Sequence, residues 1–549
     1  MSLPNDPSDH PDRTLKVLTF NVWGLAIVSK DRQVRIKAIA EYLASSNYDI
    51  VCLQELWVYK DFEIVREKVR RNLPFSRFFH TGALGSGLAI FTRFPLISAQ
   101  ALPYSLSGSP AQAFAGDFFV KKAAANIVII HPILGEVEIW NTHMHAAGEH
   151  PPDTRQAHRI AQSWQLANAI KNGAAKGRYI LAMGDFNSQP WSIPIAMLKN
   201  HGNLTDSFES VTKTANMDLS PQPTPEEALK SYGMTCDSPL NTYSAGKPIP
   251  GNVLGKGGKR LDYIFFRQPA IARRRPLVWG YRDEENESEA DKTNGGEGAD
   301  EVELGDFTGK GHMEVGKPIT ASIAKAPKLK CINSEVILTG LVPGQSFSYS
   351  DHFALFSTFT IDDPPSQPPQ QKQQNQQNQQ TTSTSSSDNS FTPLVPLITE
   401  PEQINPTTTT FAQPSPESPN VNYAPSSPRT STSSTAAMTA KSNTVRSALD
   451  VLRLYTRISN RTSNFHLKTC LGSLIALIAL TIGSAWQPKS WLQPIFTLVG
   501  GLLGASTATF LYTGFVWGRW EQGLLVEVTE EMELELRVAE MEERINTSA

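Results

Sequence analysis

Six short polar motifs, each placed at the end of an extended run, constrain this chain more than any other feature of its sequence. In order they are Phe20-Asn21-Val22-Trp23-Gly24, Gln54-Glu55-Leu56-Trp57, Asn141-Thr142-His143-Met144-His145, Gly184-Asp185-Phe186-Asn187, Arg260-Leu261-Asp262-Tyr263 and Ser350-Asp351-His352-Phe353. Largely apolar runs at 15–20, 50–53, 137–140 and 179–183 lead into the first four, and Tyr349 is a weaker lead into the last. Such runs read as core strands, as do 87–91 and 126–130. Between them, 32–44 sets Val34, Ile36, Ile39, Ala40 and Leu43 on roughly one helical face. Asp153 is expected to cap a helix over 154–170 behind Pro151 and Pro152. Strands alternating with helices predict an α/β fold. Strand ends gather at one rim of a sheet, so groups distant in sequence can converge there on one reacting centre.

The residue types at that rim suit metal-assisted hydrolysis of a phosphodiester. Glu55 offers a carboxylate of the kind a hard ion such as Mg²⁺ takes. Asn21 can hold a phosphate oxygen or help orient the metal shell. Asp185 and Asn187, two apart in an extended segment, point to the same side, toward water or phosphate, while Phe186 faces the core. His352 with Asp262 forms a base and its orienting carboxylate. Asp351 is the alternative orienting or metal-side carboxylate. His143 and His145 flank Met144, and one can donate to a phosphate oxygen in the transition state. A zinc site is not indicated, because no further His or Cys stands at ligand spacing. The glycine-rich stretch 251–259 looks superficially like a nucleotide-binding loop. Arg260 stands where such a loop needs Ser or Thr, and a strand follows where it needs a helix, so no nucleotide is expected. Lys259 and Arg260 remain candidates to touch a substrate phosphate.

Composition fixes the setting. The chain has 549 residues and a net charge of −3, which gives no basic field for nucleic acid. Its 4 cysteines, Cys52, Cys236, Cys331 and Cys470, are widely spaced, which fits a reducing compartment. The polar N-terminus has no signal-peptide pattern. Residues 14–362 read as the catalytic domain, with an acidic, glycine-containing disordered insertion at about 272–330. Residues 363–445, rich in Pro, Gln, Ser and Thr, read as a disordered linker. Two uncharged apolar segments, 469–486 and 495–517, are each long enough to cross a bilayer core of about 30 Å. Joined by a short link and flanked by Trp486, Trp491, Trp517 and Trp520, they predict a transmembrane hairpin at 469–517. Arg446, Arg453, Arg457, Arg461 and Lys468 make 446–468 a basic juxtamembrane segment suited to anionic lipid, and place the catalytic domain in the cytosol. The tail 518–549 is acidic and helix-prone.

On these six ordered motifs the chain resembles the endonuclease/exonuclease/phosphatase superfamily. Within it, it resembles the neutral sphingomyelinase branch and that branch's fungal inositol phosphosphingolipid phospholipases C. The resemblance covers about 14–362 and rests on residues 18–25, 53–57, 142–146, 184–187, 259–265 and 350–352. It implies a four-layer α/β sandwich of deoxyribonuclease I type. It implies Mg²⁺-dependent cleavage of sphingolipid phosphodiesters to ceramide and a phosphorylated head group. It further implies Glu55 as metal ligand, His352 as proton acceptor, and Asn21, His143, Asp185 and Asn187 around phosphate and water. Activation by anionic phospholipid and an intracellular membrane such as the endoplasmic reticulum are also expected. The rivals are an inositol polyphosphate phosphatase or a nuclease on the same fold, and, from another class, a non-enzymatic membrane tether.

Overall fold

The computed structural model describes residues 11–83, 85–108, 110, 120–146, 153, 155–212, 222–245, 247–270, 326–362 and 434–548. Two six-stranded mixed sheets face each other. The first runs β11 (Lys328–Ile337), β12 (Ala354–Asp362), β1 (Thr14–Asn21), β2 (Ile50–Gln54), β4 (Leu88–Thr92), β3 (Phe75–Phe79). The second runs β5 (Leu96–Pro103), β6 (Ala123–His131), β7 (Gly135–His143), β8 (Tyr179–Asp185), β10 (Asp262–Arg267), β9 (Thr205–Asp206).

Burial makes this a four-layer sandwich. Alternate residues of both sheets, among them Val17, Cys52, Ile90, Ile127, Ile139, Leu181 and Ile264, fill one core between the sheets. The opposite face of the first sheet, with Leu18, Phe20, Val51 and Leu53, packs under α1 (Arg32–Ala44) and α2 (Tyr59–Val69) through Ile36, Ile39, Leu43, Phe62 and Val65. The outer face of the second, with Trp140, Ile180 and Tyr263, packs under α3 (Gln156–Ala175) and α4 (Ile193–Asn200) through Leu166, Ala167, Ile170, Ile195 and Leu198. The expected 32–44 helix is therefore present. The helix expected over 154–170 runs Gln156–Ala175, and the Asp153 side chain accepts from the Arg155 backbone N–H (3.1 Å) just ahead of it.

Topology gives the sandwich one functional rim. β1 and β2 are parallel, as are β7 and β8, so Asn21, Gln54, His143 and Asp185 end side by side within their pairs. β10 and β12 are antiparallel neighbours of β8 and β1, so they start where those strands finish. Asp262 therefore pairs in register with Asp185, and His352 lies just before β12. Beneath the rim a buried bridge ties the sheets together: Gln54 Nε2 donates to Asn141 Oδ1 (2.7 Å), and Asn141 Nδ2 donates to the carbonyls of Leu53 (2.9 Å) and Ala89 (3.0 Å).

The C-terminal helices pack against the second sheet's helical layer. The expected acidic insertion falls mostly in 271–325, and the expected linker mostly in 363–433; both stretches lie outside the described residues. The described edges of these segments are ordered: β11 begins at Lys328, and a continuous helix starts at Ser434, inside the stretch 363–445. That helix (Ser434–Gly483) and the last one (Gly518–Ser548) dock on α3 and α4. Val445, Leu449, Leu452, Leu525, Val528 and Met532 form one buried cluster with Ile160, Trp164 and Met197. Polar contacts pin the seam: Trp164 Nε1 donates to Glu531 (2.6 Å), Asn200 to Thr444 (2.7 Å), and Lys171 pairs with Glu535 (3.1 Å). The acidic tail lies along the basic segment. Arg446 pairs with Glu540 and Arg453 with Glu533, each at 2.7 Å. Two helices, within Thr439–Trp486 and Ser490–Met541, are long and apolar enough to cross a membrane, and their apolar windows lie almost wholly outside the protein core.

Candidate active site

The rim brings together side chains from both sheets. Asn21 Nδ2 donates to Glu55 Oε1 (3.0 Å) and to Asp185 Oδ2 (2.9 Å). His143 Nε2 stands 3.6 Å from Asp185 Oδ2 and 3.9 Å from Glu55 Oε1. On the other side of Asp185, His352 Nε2 lies 3.9 Å away, while His352 Nδ1 meets Asp262 Oδ2 at 2.9 Å. Thr235 Oγ1 donates to that same Asp262 oxygen (2.6 Å), which fixes the carboxylate. Asp262, not Asp351, is therefore the residue that orients His352. Asp351 pairs instead with Lys247 (3.2 Å) at the exposed edge.

Local backbone shape explains how these groups reach one point. Trp23, Glu55 and Asn187 all adopt positive φ, at 45°, 57° and 46°. Side-chain residues enter that left-handed region at a cost, and such strain clusters where function demands it. At Asn187 the turn is held by its own N–H donating to Asp185 Oδ1 (2.9 Å) and its amide donating to the Met144 carbonyl (3.1 Å). Gly184 permits the close parallel approach of β7 and β8: at its φ of 143° an added Cβ would lie 2.0 Å from the Thr142 carbonyl.

Burial sets the electrostatics. Burial, then the Asp351 charge, pushes the Glu55 carboxyl above its ordinary range. Burial, reinforced by Asp262, lifts Asp185 to about 7. Burial, with Lys122 and His352 as positive neighbours, holds His143 well below the usual imidazole value, so it is neutral. Burial also opposes protonation of His352, but the Cys236 sulfur and the Asp262 carboxylate outweigh it and hold that imidazole well above its usual value. A buried and a half-buried carboxylate thus share one spot with a neutral imidazole. Glu55, His143 and Asp185 each offer a ligand atom, all within 4.8 Å of one another. This oxygen-rich donor set, with the Asn21 amide beside it, fits a hard divalent cation.

Other expected residues are placed differently. Lys259 pairs with Asp237 (2.9 Å), a neighbour of His352. The structure does not bring Arg260 to the cluster: its guanidinium is buried against both oxygens of Asp206 (2.6 and 2.7 Å), between the rings of Phe208 and Tyr263. His145 turns away from His143 and packs against His158 (5.2 Å between rings). Sequence reasoning missed two residues. Lys122, buried at the start of β6, places Nζ 2.8 Å from His143 Nε2. Only the β6–β7 register, which pairs Ala123 with His143, reveals this. Arg35, fully buried on α1, donates to the carbonyls of Val22, Trp23 and Tyr349 and so ties the Asn21 segment to the His352 segment.

The sequence profile described as the endonuclease/exonuclease/phosphatase family matches residues 18–308, more than half of the chain. The chain belongs to this family. Among curated relatives, an "Inositol phosphosphingolipids phospholipase C" of Schizosaccharomyces pombe is 39% identical over 257 residues, covering 46% of this chain and 59% of that protein. The protein of the same name in Saccharomyces cerevisiae is 32% identical, covering 46% and 56%. "Sphingomyelin phosphodiesterase 2" of Rattus norvegicus is 32% identical, also covering 46% and 56%. The matched region of this family member thus spans somewhat over half the length of these relatives. It contains the first five motifs within the profile match, while His352 lies beyond it and is joined to the site by β12.

Proposed function

We propose that the chain is a Mg²⁺-dependent phosphodiesterase of phospholipase C type, cleaving sphingolipids to ceramide and a phosphorylated head group. One observation carries this reading: an oxygen-rich cation cluster and a carboxylate-held imidazole share the Asp185 side chain, 3.9 Å from His352. The names of the relatives supply the substrate class. In this reading Glu55 and Asp185 would hold Mg²⁺, with Asn21 orienting both carboxylates through Nδ2, and the ion when bound would offset charge on the phosphoryl oxygens. In its neutral form His352 would accept a proton from water at Nε2, and Asp262, held at Nδ1, makes that imidazole a stronger base and stabilises the imidazolium formed. His143, Lys122 and Asn187 bind the remaining phosphate oxygens. Lys259, one shell out, stabilises Asp237, and Arg260 supports the fold.

The same reading takes 14–362 as the catalytic domain and 469–486 and 495–517 as membrane spans, with the enzyme and both flanks in the cytosol. Trp486, Trp491, Trp517 and Trp520 at the span ends and the arginines of 446–468 support that arrangement. Anionic phospholipid would act at the membrane-proximal end of that basic segment, through Arg461 and Lys468.

The test is a comparison of inositol phosphoceramide, sphingomyelin, lysophospholipid and an inositol polyphosphate, with Mg²⁺ in detergent. Ceramide release from either sphingolipid is the expected result. Release of inorganic phosphate from the polyphosphate alone would make the chain a phosphatase, and no Mg²⁺-dependent product would leave it a tether.

A further inference from the structure

Resting on the membrane-spanning reading above, we infer that the catalytic rim faces the bilayer and that the loop carrying Ile27 and Val28 inserts into it. Two independent observations meet here. The first is the course of the C-terminal helices. α3 follows β7, whose end is at the rim, so the first turn of α3 lies there and its last turn at the opposite edge. The last helix runs beside α3 in the same sense: Glu521 lies 3.7 Å from His158, Glu531 meets Trp164, and Glu535 meets Lys171. The preceding long helix follows the reverse course: Lys441 pairs with Glu535 (2.5 Å) at the far edge, and Ser459 donates to Glu521 (2.6 Å) near the rim. Both apolar segments therefore leave the globular domain on the rim side. Trp520, just after the second span, sits with its ring 5.3 Å from Lys121 Nζ, next to the site residue Lys122.

The second observation is what the rim loops display. Ile27 is 97% exposed and Val28 63%, in the loop that continues directly from Asn21 and Trp23. Two exposed aliphatic side chains on a loop tip lose free energy in water and regain it in hydrocarbon. Trp191 follows the Asp185-Phe186-Asn187 motif and is partly exposed, with Lys256 Nζ 4.8 Å from its ring. Leu254, at the end of a short helix before Lys259, and Leu341, in the segment between Ile337 and His352, are also exposed. Lys30 is exposed beside the Ile27 loop. Apolar tips with lysines beside them match the acyl boundary and the anionic head groups of a membrane surface. The occupant is thus a lipid bilayer, the one the spans enter.

The full chain tests this without any appeal to turnover. An environment-sensitive fluorophore is attached at Ile27→Cys, and in a second variant at Ile130→Cys; the four native cysteines are buried. Ile130 is exposed at the opposite end of β6. Each variant is reconstituted in phosphatidylcholine–phosphatidylserine vesicles containing a lipid-borne quencher. The label at 27 is expected to shift to the blue and be quenched, and the label at 130 to do neither. Equal behaviour of the two labels in chains that float with the vesicles overturns the orientation and leaves the membrane reading standing. Failure to float overturns both. As a second arm, Ile27→Asp with Val28→Asp is expected to lower hydrolysis of vesicle-borne sphingolipid by about tenfold, a change of about 1.4 kcal/mol. Hydrolysis of a soluble short-chain analogue is expected to stay unchanged. Equal losses on both substrates would place the loop in the reaction centre and refute insertion.

Discussion

Replacing Arg35 by Ala is expected to loosen the site from a distance. The guanidinium is fully buried, and among the described residues no carboxylate is in hydrogen-bond contact with it. Its donors go to backbone: Nε to Lys30 O (2.9 Å), Nη1 to Val22 O (2.8 Å) and Tyr349 O (3.1 Å), and Nη2 to Trp23 O (2.7 Å). The Trp23 and Tyr243 rings lie 4.9 and 5.6 Å from its central carbon. Hydrogen bonds from a charged donor contribute about 1.5–3 kcal/mol each, but bonds sharing one group do not add. Truncation leaves four carbonyls short of a donor and opens a cavity, so a loss of about 4 kcal/mol is expected, near the upper end for single substitutions. Arg35→Lys keeps the charge but not the planar fork, and should recover less than half of that loss. Thermal unfolding of the detergent-solubilised full chain, followed by tryptophan fluorescence, reads the stability. At about 2–4 °C per kcal/mol the Ala variant should melt roughly 10 °C lower. Because Arg35 joins the Asn21 and His352 segments, Mg²⁺ affinity should also weaken by about tenfold. An Ala variant within about 1 kcal/mol of the parent, or a Lys variant indistinguishable from it, would refute the argument.

Three further outcomes are expected. Asp262→Asn should lower turnover by about 10²–10⁴-fold with little change in fold, since it removes the carboxylate that sets the His352 tautomer; a loss under about tenfold sinks that role. Chelation of divalent cations should abolish turnover and added Mg²⁺ restore it; activity persisting in chelator refutes the cation cluster. His131 is buried and accepts from the N–H groups of Ile133 and Leu134 at Nδ1, and burial lowers its pKa to about 4. Its folded pKa is below the unfolded value, so its contribution is present above about pH 6.5 and is lost as pH falls toward 4; relative to His131→Asn, the stability difference should shrink by about 2–3 kcal/mol over that window in unfolding titrations. A difference that stays constant with pH contradicts the assignment.

How much of this was legible in the sequence varies by element. The 32–44 helix was readable because its apolar spacing matches one face of a helix. The four strands that lead into the first four motifs were readable from their buried runs. The partnership of Asp262 with His352 was proposed from residue type, with Asp351 as the alternative. Only the antiparallel start of β10 beside Asp185 decides between them. Arg260, next to Asp262 in sequence, was a candidate for substrate, but its side chain turns to Asp206. Lys122 and Arg35 carry no motif, and no local pattern announces a side chain whose partners are far away in sequence.

Local chemistry by itself determined the strand and helix periods, the polar residues at strand ends, and the two apolar segments, because these depend on neighbours within a few positions. Tertiary structure decided which carboxylate holds His352, that Arg35 clasps two ends of the chain, and that the C-terminal helices seat against α3 and α4. Register and packing between distant segments set those outcomes, and a sequence states its side chains without stating which strand lies beside which. The direction in which the apolar helices leave the sandwich belongs to the same class, since it follows from which end of α3 meets Glu521.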